Sequence, residues 1–241
     1  MLRRLQEELD QADMEYPDCR AVVINSNSNG GKAFSAGHDM KEIHRHVREN
    51  SDEILTRQLF DTCAVVMQSL SQIRPVTIAS VDGIATAAGC QLVAATDMAI
   101  ATQSSRLALS GIHHGLVCST PIVPVSRAMM GNNKHALEML LTGDFISAHQ
   151  ACTYGLINTV VTDKDALEEA THELVSKIAR HSSYATARGK QHFYQQGTMK
   201  LSDAYASATD RIVDDIVHSV DARNGIHAFV EKRPQPKWES K

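Results

Sequence analysis

The sequence predicts an α/β fold that becomes helical toward its C-terminus. In the first half of the chain, short apolar stretches rich in β-branched residues, which are typical of buried strands, alternate with segments of helical periodicity. From Met129 onward helical periodicity dominates, and one short strand interrupts it. This order of elements places the chain in the α/β class, with a helical C-terminal part.

The first half opens with Leu2, Leu5 and Leu9 at helical spacing, which predicts a helix at 2–9, followed by a polar segment that ends in a turn at Pro17. Buried strands are expected at 20–25, 76–81 and 97–101. Further helices are expected at 39–49, 51–73 and 86–95. Ser51 precedes the apolar positions of the long helix and is expected to cap it, and 26–32 is expected to form a loop.

The second half shows five stretches of helical periodicity with a strand among them. The helices are expected at 134–141, 147–154, 165–179, 183–195 and 201–217, and the strand at 156–161. We divide the chain into a core at 1–195 and a C-terminal helical part at 196–241.

Composition excludes several classes of protein. Charged residues make up 22% of the 241 residues and the net charge is −4, without a basic block, so a nucleic-acid surface is not expected. A run of about 18 apolar residues is absent, so no membrane span is expected. The five cysteines are scattered without CxxC spacing, which predicts reduced thiols and no metal site.

Two turns rich in glycine and alanine each follow an apolar strand and lead into a helix, at 33–42 and 82–92. Small residues allow the backbone to approach a ligand closely, and a helix start offers free N–H groups. Two such turns that face one point would form an oxyanion hole, but tight packing between strand and helix explains the same residues. A nucleotide-phosphate loop is excluded, because GxxxxGK[ST] and GxGxxG are both absent.

Four motifs resemble those of the enoyl-CoA hydratase/isomerase (crotonase) family, in order and at the family's spacing. FSAGHDMKE at 34–42 resembles its F-S-A-G-x-D-L-K-E loop, and AAGCQL at 87–92 resembles its G-G-G-x-E-L turn. LTG at 141–143 with ACTYGLIN at 151–158 resembles a third family segment, and FVEKRPQP at 229–236 resembles the closing F-x-E-K-R-x-P segment. The resemblance covers about residues 20 to 236.

The resemblance implies a spiral of ββα units, with a C-terminal helical part that forms a homotrimer or hexamer. It implies an acyl-CoA thioester as ligand, with no other cofactor. It places the oxyanion donors on the backbone N–H groups of His38 and Ala88. It assigns contacts with coenzyme A to Ala36, Lys41, Phe229 and Lys232, the last two from a helix that often belongs to a neighbouring subunit.

The chain departs from the family where a hydratase carries its two carboxylates. Gln91 stands at the first position and Gly111 at the second, and neither can accept a proton near neutral pH. Standard hydration and double-bond isomerisation are therefore in doubt. Gln91 is also open to interpretation as a hydrogen-bond partner of a neighbouring helix end. A decarboxylase branch of the family needs no general base, and a catalytic Tyr of that branch aligns with Cys118.

Cys118, Ser119, His113 and His114 are the polar candidates near that position, and each is also explained as a structural residue. The expected function is therefore acyl-CoA binding with enolate stabilisation in fatty-acid metabolism, nominally as an enoyl-CoA hydratase. The alternatives are a decarboxylase-like activity and a non-catalytic CoA-binding or regulatory protein.

The resemblance also carries expectations about compartment and N-terminus. It is strongest to a subgroup that is mitochondrial in animals, which predicts a mitochondrial location, although no presequence is visible in this chain. The family normally opens with a β-hairpin that bears an N-x-L motif, and the sequence begins at the helix that follows, so we expect the first β-hairpin to be missing.

Overall fold

A computed structural model of the chain describes residues 1–26, 33–48 and 53–239. The expected loop at 26–32 lies outside these residues except for Ser26, and the expected cap Ser51 lies outside them as well. The helices are α1 Leu2–Met14, α2 Met40–Arg48, α3 Glu53–Gln72, α4 Ala88–Ala95, α5 Ile122–Ala128, α6 Asn133–Thr142, α7 Ala148–Thr153, α8 Lys164–Ala179, α9 Ser183–Gln196, α10 Leu201–His218 and α11 Val220–Val230. The strands are β1 Ala21–Asn25, β2 Ala33–Ser35, β3 Val76–Val81, β4 Ile84–Thr86, β5 Met98–Thr102, β6 Arg106–Ala108, β7 Ile146–Ser147 and β8 Thr159–Val161.

The strands form two four-stranded sheets, and the chain alternates between them from β1 to β6. The first sheet has the order β1-β3-β5-β8 and is parallel throughout. The second has the order β2-β4-β6-β7, in which only the last pair is antiparallel. Consecutive pairs such as β3 and β4 contribute one strand to each sheet, and a helix such as α4 follows. This repeated pattern is the spiral of ββα units that the resemblance implied.

Most predicted elements are present, and three expectations need correction. The first helix continues to Met14 instead of ending at Leu9, because the polar residues after Leu9 still form helical hydrogen bonds. The helix expected at 86–95 begins only at Ala88, since Thr86 belongs to β4. The strand expected at 156–161 is reduced to β8 at Thr159–Val161.

The core lies between the two sheets and the helices that pack on them. All six residues of β3 are buried, as expected of a parallel strand that is covered on both faces. A larger apolar cluster surrounds β3 to β6, and a smaller cluster joins α1 to α3 and α4. In the described residues, no helix is long and apolar enough to cross a membrane.

Candidate active site

The first glycine turn reverses the chain between β2 and α2. Gly37 has a φ of +90°, a conformation that glycine adopts without a steric penalty, and its N–H donates to Ser35 Oγ at 3.3 Å. Asp39 then caps α2, because its Oδ1 accepts the N–H of Lys41 at 2.8 Å. His38 is therefore held between a fixed strand end and a capped helix start.

The second turn joins β4 to α4 through a strained residue. Ala87 has a φ of 49°, which is rare for a residue with a side chain, and its N–H donates to Ala108 O at 3.0 Å. Such conformations cost about 1–3 kcal/mol and concentrate at functional sites. Ala88 is the first residue of α4, so its N–H belongs to the group that has no partner within the helix.

The two turns are in direct contact. A Cβ atom added to Gly37 would lie 3.0 Å from the backbone nitrogen of Ala88. A Cβ atom added to Gly89 would lie only 2.1 Å from Ser35 O, so the first turn packs against the start of α4. Thr86 Oγ1 donates across the same junction to Ala36 O at 3.3 Å. Gly89 therefore allows close packing of the two turns, whereas the lack of a side chain at Gly37 keeps a Cβ atom away from the Ala88 nitrogen.

A cavity of about 580 Å³ lies beside this junction and is lined by Gly37, His38 and Ala88. Its remaining lining comes from Ser35 of β2, from α1 and the residue before it, from Asp39 and Glu42 at the start of α2, from α3 and from Leu92 of α4. The sequence left open whether the two turns form an anion site or only pack together. The structure brings the residues of both predicted donors to one cavity, and it also shows the packing at Gly89.

The side chain of His38 is enclosed beside the cavity. Its ring meets Phe60 edge to face, with 5.1 Å between ring centroids. Within the described part of the chain, its Nε2 is buried and has no hydrogen-bond partner. Burial lowers the pKa of His38, and the nearby Glu42 carboxylate opposes this shift. The imidazole is therefore neutral near neutral pH.

Gln91 is buried on α4 and does not line the cavity. Its Oε1 accepts from Thr120 Oγ1 at 3.5 Å and from the Cys63 thiol at 3.9 Å. Thr120 lies just before α5 begins at Ile122, so Gln91 links α3, α4 and the start of α5. These contacts support the interpretation of Gln91 as a partner of a neighbouring helix end.

Gly111 and Cys118 contact each other in the segment that includes a 3₁₀ helix at Ser110–His114. The Gly111 N–H donates to Cys118 Sγ at 3.3 Å, and a Cβ atom on Gly111 would lie 2.9 Å from that sulfur. Cys118 is buried and is not among the cavity residues. A side chain at 111 would therefore displace the Cys118 thiol and press against Leu116 O, so the position of the second family carboxylate is occupied by neighbouring atoms in this chain.

The remaining polar candidates lie on the surface. His113, His114 and Ser119 are exposed, and none of them lines the cavity. The His113 ring packs on the turn after α6, where a Cβ atom on Gly143 would be 2.4 Å from His113 Nε2. In the described residues, no group of three or more His, Cys, Asp or Glu side chains is placed to hold a metal ion.

The four residues expected to contact coenzyme A are all exposed. Ala36 and Lys41 flank the first turn, next to the cavity residues His38 and Asp39. Phe229 is 84% exposed near the end of α11, and Lys232 follows that helix with a φ of 54°. Neither Phe229 nor Lys232 lines the cavity of this single chain.

Sequence reasoning missed most of the cavity wall. Glu42 and Phe60 surround the His38 ring, and apolar residues of α1 and α3 form the far side. Glu42 lies within the FSAGHDMKE motif, so the motif itself carried that signal. The contribution of α1 and α3 depends on tertiary packing, for which a single sequence carries no local signal.

Comparisons with known proteins agree on one family. The family model for enoyl-CoA hydratase/isomerase matches residues 1–241. The mitochondrial enoyl-CoA hydratase domain-containing protein 3 of Xenopus laevis is 40% identical over 240 residues, which cover 99% of this chain and 76% of the relative. The corresponding human protein is 38% identical over 238 residues, covering 99% of this chain and 74% of the relative.

Solved structures show the same fold. A crystal structure of an enoyl-CoA hydratase from Mycobacterium smegmatis superposes with a TM-score of 0.89 at 42% identity, covering 99% of this chain and 88% of that one. The crystal structure of human enoyl-CoA hydratase domain-containing protein 3 has a TM-score of 0.86 at 36% identity, covering 98% and 90% of the two chains. Together with the two glycine turns and the spiral of strands, these matches establish that the chain belongs to the enoyl-CoA hydratase/isomerase family and has the crotonase fold.

Proposed function

We propose that the chain binds an acyl-CoA thioester and stabilises its enolate, with the thioester oxygen held by the backbone N–H groups of His38 and Ala88. The observation that carries this proposal is the contact between the two turns, which brings both residues to one cavity and places Gly37, without a side chain, beside the Ala88 nitrogen. Donors aimed at a developing oxyanion each contribute about 10²–10³-fold to the rate of such reactions. Backbone donors tolerate any side chain, so His and Ala are compatible with this role.

The reaction is nominally that of an enoyl-CoA hydratase, a role that the names of the relatives support. Gln91 and Gly111 replace the two carboxylates of a standard hydratase, and an acid–base group contributes about 10²–10⁴-fold. We therefore expect hydration of a simple enoyl thioester to be slow. Gln91 is held by Cys63 of α3 and by Thr120, and a side chain at position 111 would crowd Cys118 Sγ and Leu116 O.

A second candidate function is a decarboxylase-like activity on a carboxylated acyl-CoA. Loss of CO₂ generates the thioester enolate without a general base, so it requires only the oxyanion donors. The observation that favours it is the lack of a carboxylate at both family positions, Gln91 and Gly111. If neither reaction occurs and the thioester still binds, the chain is a non-catalytic CoA-binding protein.

Binding of coenzyme A is assigned to Ala36 and Lys41 beside the cavity and to Phe229 and Lys232 of a neighbouring subunit. A lysine ammonium group near a pyrophosphate is electrostatically favourable. Phe229 and Lys232 are exposed in the single chain, which is consistent with a contact made across a homotrimer or hexamer. We assign the protein to mitochondrial fatty-acid metabolism on the strength of its relatives, which are named mitochondrial.

The experiment compares the wild type with Gly37→Ala and with Gly131→Ala as a matched control. Both glycines have nearly the same positive φ, +90° and +92°, but a Cβ atom on Gly131 would meet nothing within 4 Å. Each protein is incubated with crotonoyl-CoA and with methylmalonyl-CoA, and the products are followed by thioester absorbance and by mass.

We expect any turnover, and thioester binding measured by calorimetry, to fall at least tenfold in Gly37→Ala and to remain near the wild-type level in Gly131→Ala. The methyl group of Gly37→Ala would cover the Ala88 nitrogen. Gly131→Ala introduces the same backbone strain at a positive φ, but its methyl group contacts nothing. Equal activity and binding in all three proteins would contradict the oxyanion assignment.

A further inference from the structure

The cavity continues from the oxyanion turns into an apolar region. Ala88 and Leu92 are four residues apart on α4 and therefore lie on the same helix face. Leu92 belongs to the smaller apolar cluster, against which Leu5 of α1 and Met67 of α3 pack. All four residues line the cavity, so one end of it meets the predicted thioester site and the other meets hydrocarbon side chains.

The cavity extends along α3, which lines it from Leu55 to Met67, and the apolar cluster with Leu5 and Leu92 lies at the Met67 end. Phe60 contacts the His38 ring, which fixes one point of α3 beside the oxyanion turns. Met67 lies seven residues further along the helix, a rise of about 10 Å. An extended chain advances about 1.2 Å per bond, so a thioester held at the turns would reach Met67 with about its eighth carbon.

The volume indicates a chain longer than a short acyl group. An apolar cavity of about 150 Å³ accommodates benzene, which corresponds to about 25 Å³ per carbon. At that density, the cavity of about 580 Å³ holds on the order of twenty carbons as an upper bound. A four-carbon acyl group would fill about 100 Å³ of it and leave most of the apolar wall in contact with water.

Charges around the cavity argue against a carboxylated chain end. Asp39 and Glu42 line it together with one cationic side chain, that of Arg3, among the described residues. A free carboxylate at the end of the acyl chain would add a third negative charge to this space. The lining therefore favours an uncharged hydrocarbon chain.

We propose that this cavity binds an unbranched aliphatic acyl chain of about eight to sixteen carbons, with Met67 and Leu92 as residues that determine chain length. The inference rests on the proposed function, because it uses the oxyanion turns as the anchor of the thioester. It goes further by assigning the class of acyl group.

The test is a calorimetric titration of the wild-type chain with free CoA and with butanoyl-, octanoyl-, dodecanoyl- and adipoyl-CoA. Each buried methylene contributes about 0.8 kcal/mol, or roughly fourfold in affinity. We expect octanoyl-CoA to bind at least tenfold more tightly than butanoyl-CoA, and adipoyl-CoA to bind more weakly than octanoyl-CoA. Equal affinities for butanoyl- and dodecanoyl-CoA, or tightest binding of adipoyl-CoA, would overturn the inference and leave the proposed function standing.

The failure of the proposed function gives a different result, in which neither free CoA nor any thioester binds. A substitution at Met67 tests where the acyl chain lies in the cavity. Met67→Trp should weaken binding of dodecanoyl-CoA at least tenfold and leave that of butanoyl-CoA within about twofold, because only the longer chain reaches position 67. Val65→Trp is the control, since Val65 is exposed on α3 and does not line the cavity. Equal losses for both thioesters would contradict the direction assigned to the chain, and the wild-type series stands even if the Met67 variant does not fold.

Discussion

At the scale of single residues, the site depends on which positions lack a side chain. The sequence identified two turns of small residues and, through the family motifs, the residues His38 and Ala88. It could not separate a ligand site from close packing, because both require glycine. The structure shows different surroundings at the two positions, since Gly89 abuts Ser35 and Gly37 abuts the Ala88 nitrogen.

The contacts of the side chains at the site could not be predicted from the sequence. The interpretation of Gln91 depends on Cys63 and Thr120, which lie 28 and 29 residues away along the chain. The same holds for the Phe60 ring that contacts His38. Such contacts arise from tertiary packing and leave no local pattern of spacing.

His38 provides a prediction on pH at this scale. Burial lowers its pKa in the folded chain below the ordinary value of 6.5. Between the two pKa values the unfolded chain binds a proton that the folded chain does not, so stability rises with pH in that window. We expect the free energy of unfolding to fall as pH decreases below about 6.5, and to fall less in His38→Gln. Urea denaturation from pH 5 to pH 8 measures both slopes.

Comparison at pH 8 controls for the substitution itself, because the imidazole is neutral there in both states. A wild type and a variant whose stabilities change in parallel over the whole range would contradict the effect of burial on His38.

At the scale of elements, long periodic segments were predicted well and short ones were not. Helices such as α3 and α8 bury one face over several turns, which produces a clear period. Strands β2, β4 and β6 have three residues each, too few for a period of two to stand out. The second sheet therefore came from the family resemblance and not from the residue pattern.

Helix α9 is attached to the core by a buried ion pair that the spacing of residues in the sequence does not predict. Lys190 Nζ lies 2.7 Å from Asp97 Oδ2, and both side chains are nearly buried. The same ammonium group donates to Leu70 O at 2.7 Å and to Pro75 O at 2.8 Å, and Tyr194 Oη donates to Asp97 Oδ1 at 2.8 Å. This network connects α9 to the end of α3 and to the first sheet.

We predict that Lys190→Met lowers the free energy of unfolding by about 3 kcal/mol, because it leaves the Asp97 carboxylate buried without its cation. Chemical denaturation measures the change. Lys177→Met is the matched control, since Lys177 forms an exposed pair with Glu173 one turn away and should change stability little. A loss in Lys190→Met no larger than in the control would show that the buried pair does not hold α9.

At the scale of the whole molecule, the fold agrees with the family, while the division at 195 and 196 remains a prediction. That boundary falls at the end of α9, which packs on both the core and the C-terminal helices. The exposed faces of α10 and α11 carry an apolar surface that a soluble monomer rarely presents. Its residues are Ile212, Val213, Ile216, Val217, Ile226, Phe229 and Val230.

We predict that these helices associate with other copies of the chain. Sedimentation equilibrium should give a mass that is a multiple of the chain mass of 26.4 kDa. Ile216→Glu should shift the distribution toward the monomer, because a carboxylate would be buried in the interface. Met14→Glu, at the exposed end of α1, serves as the control. A monomer at every concentration would contradict the assembly and the assignment of Phe229 and Lys232 to a neighbouring site.

The most direct test of the central claim is a crystal structure of the chain with a bound long-chain acyl-CoA. The account predicts the thioester oxygen at about 2.7–3.1 Å from the backbone nitrogens of both His38 and Ala88, with the acyl chain running past Leu92 toward Met67. A thioester bound elsewhere, or an oxygen that contacts neither nitrogen, would contradict the assignment of the oxyanion hole to these two turns.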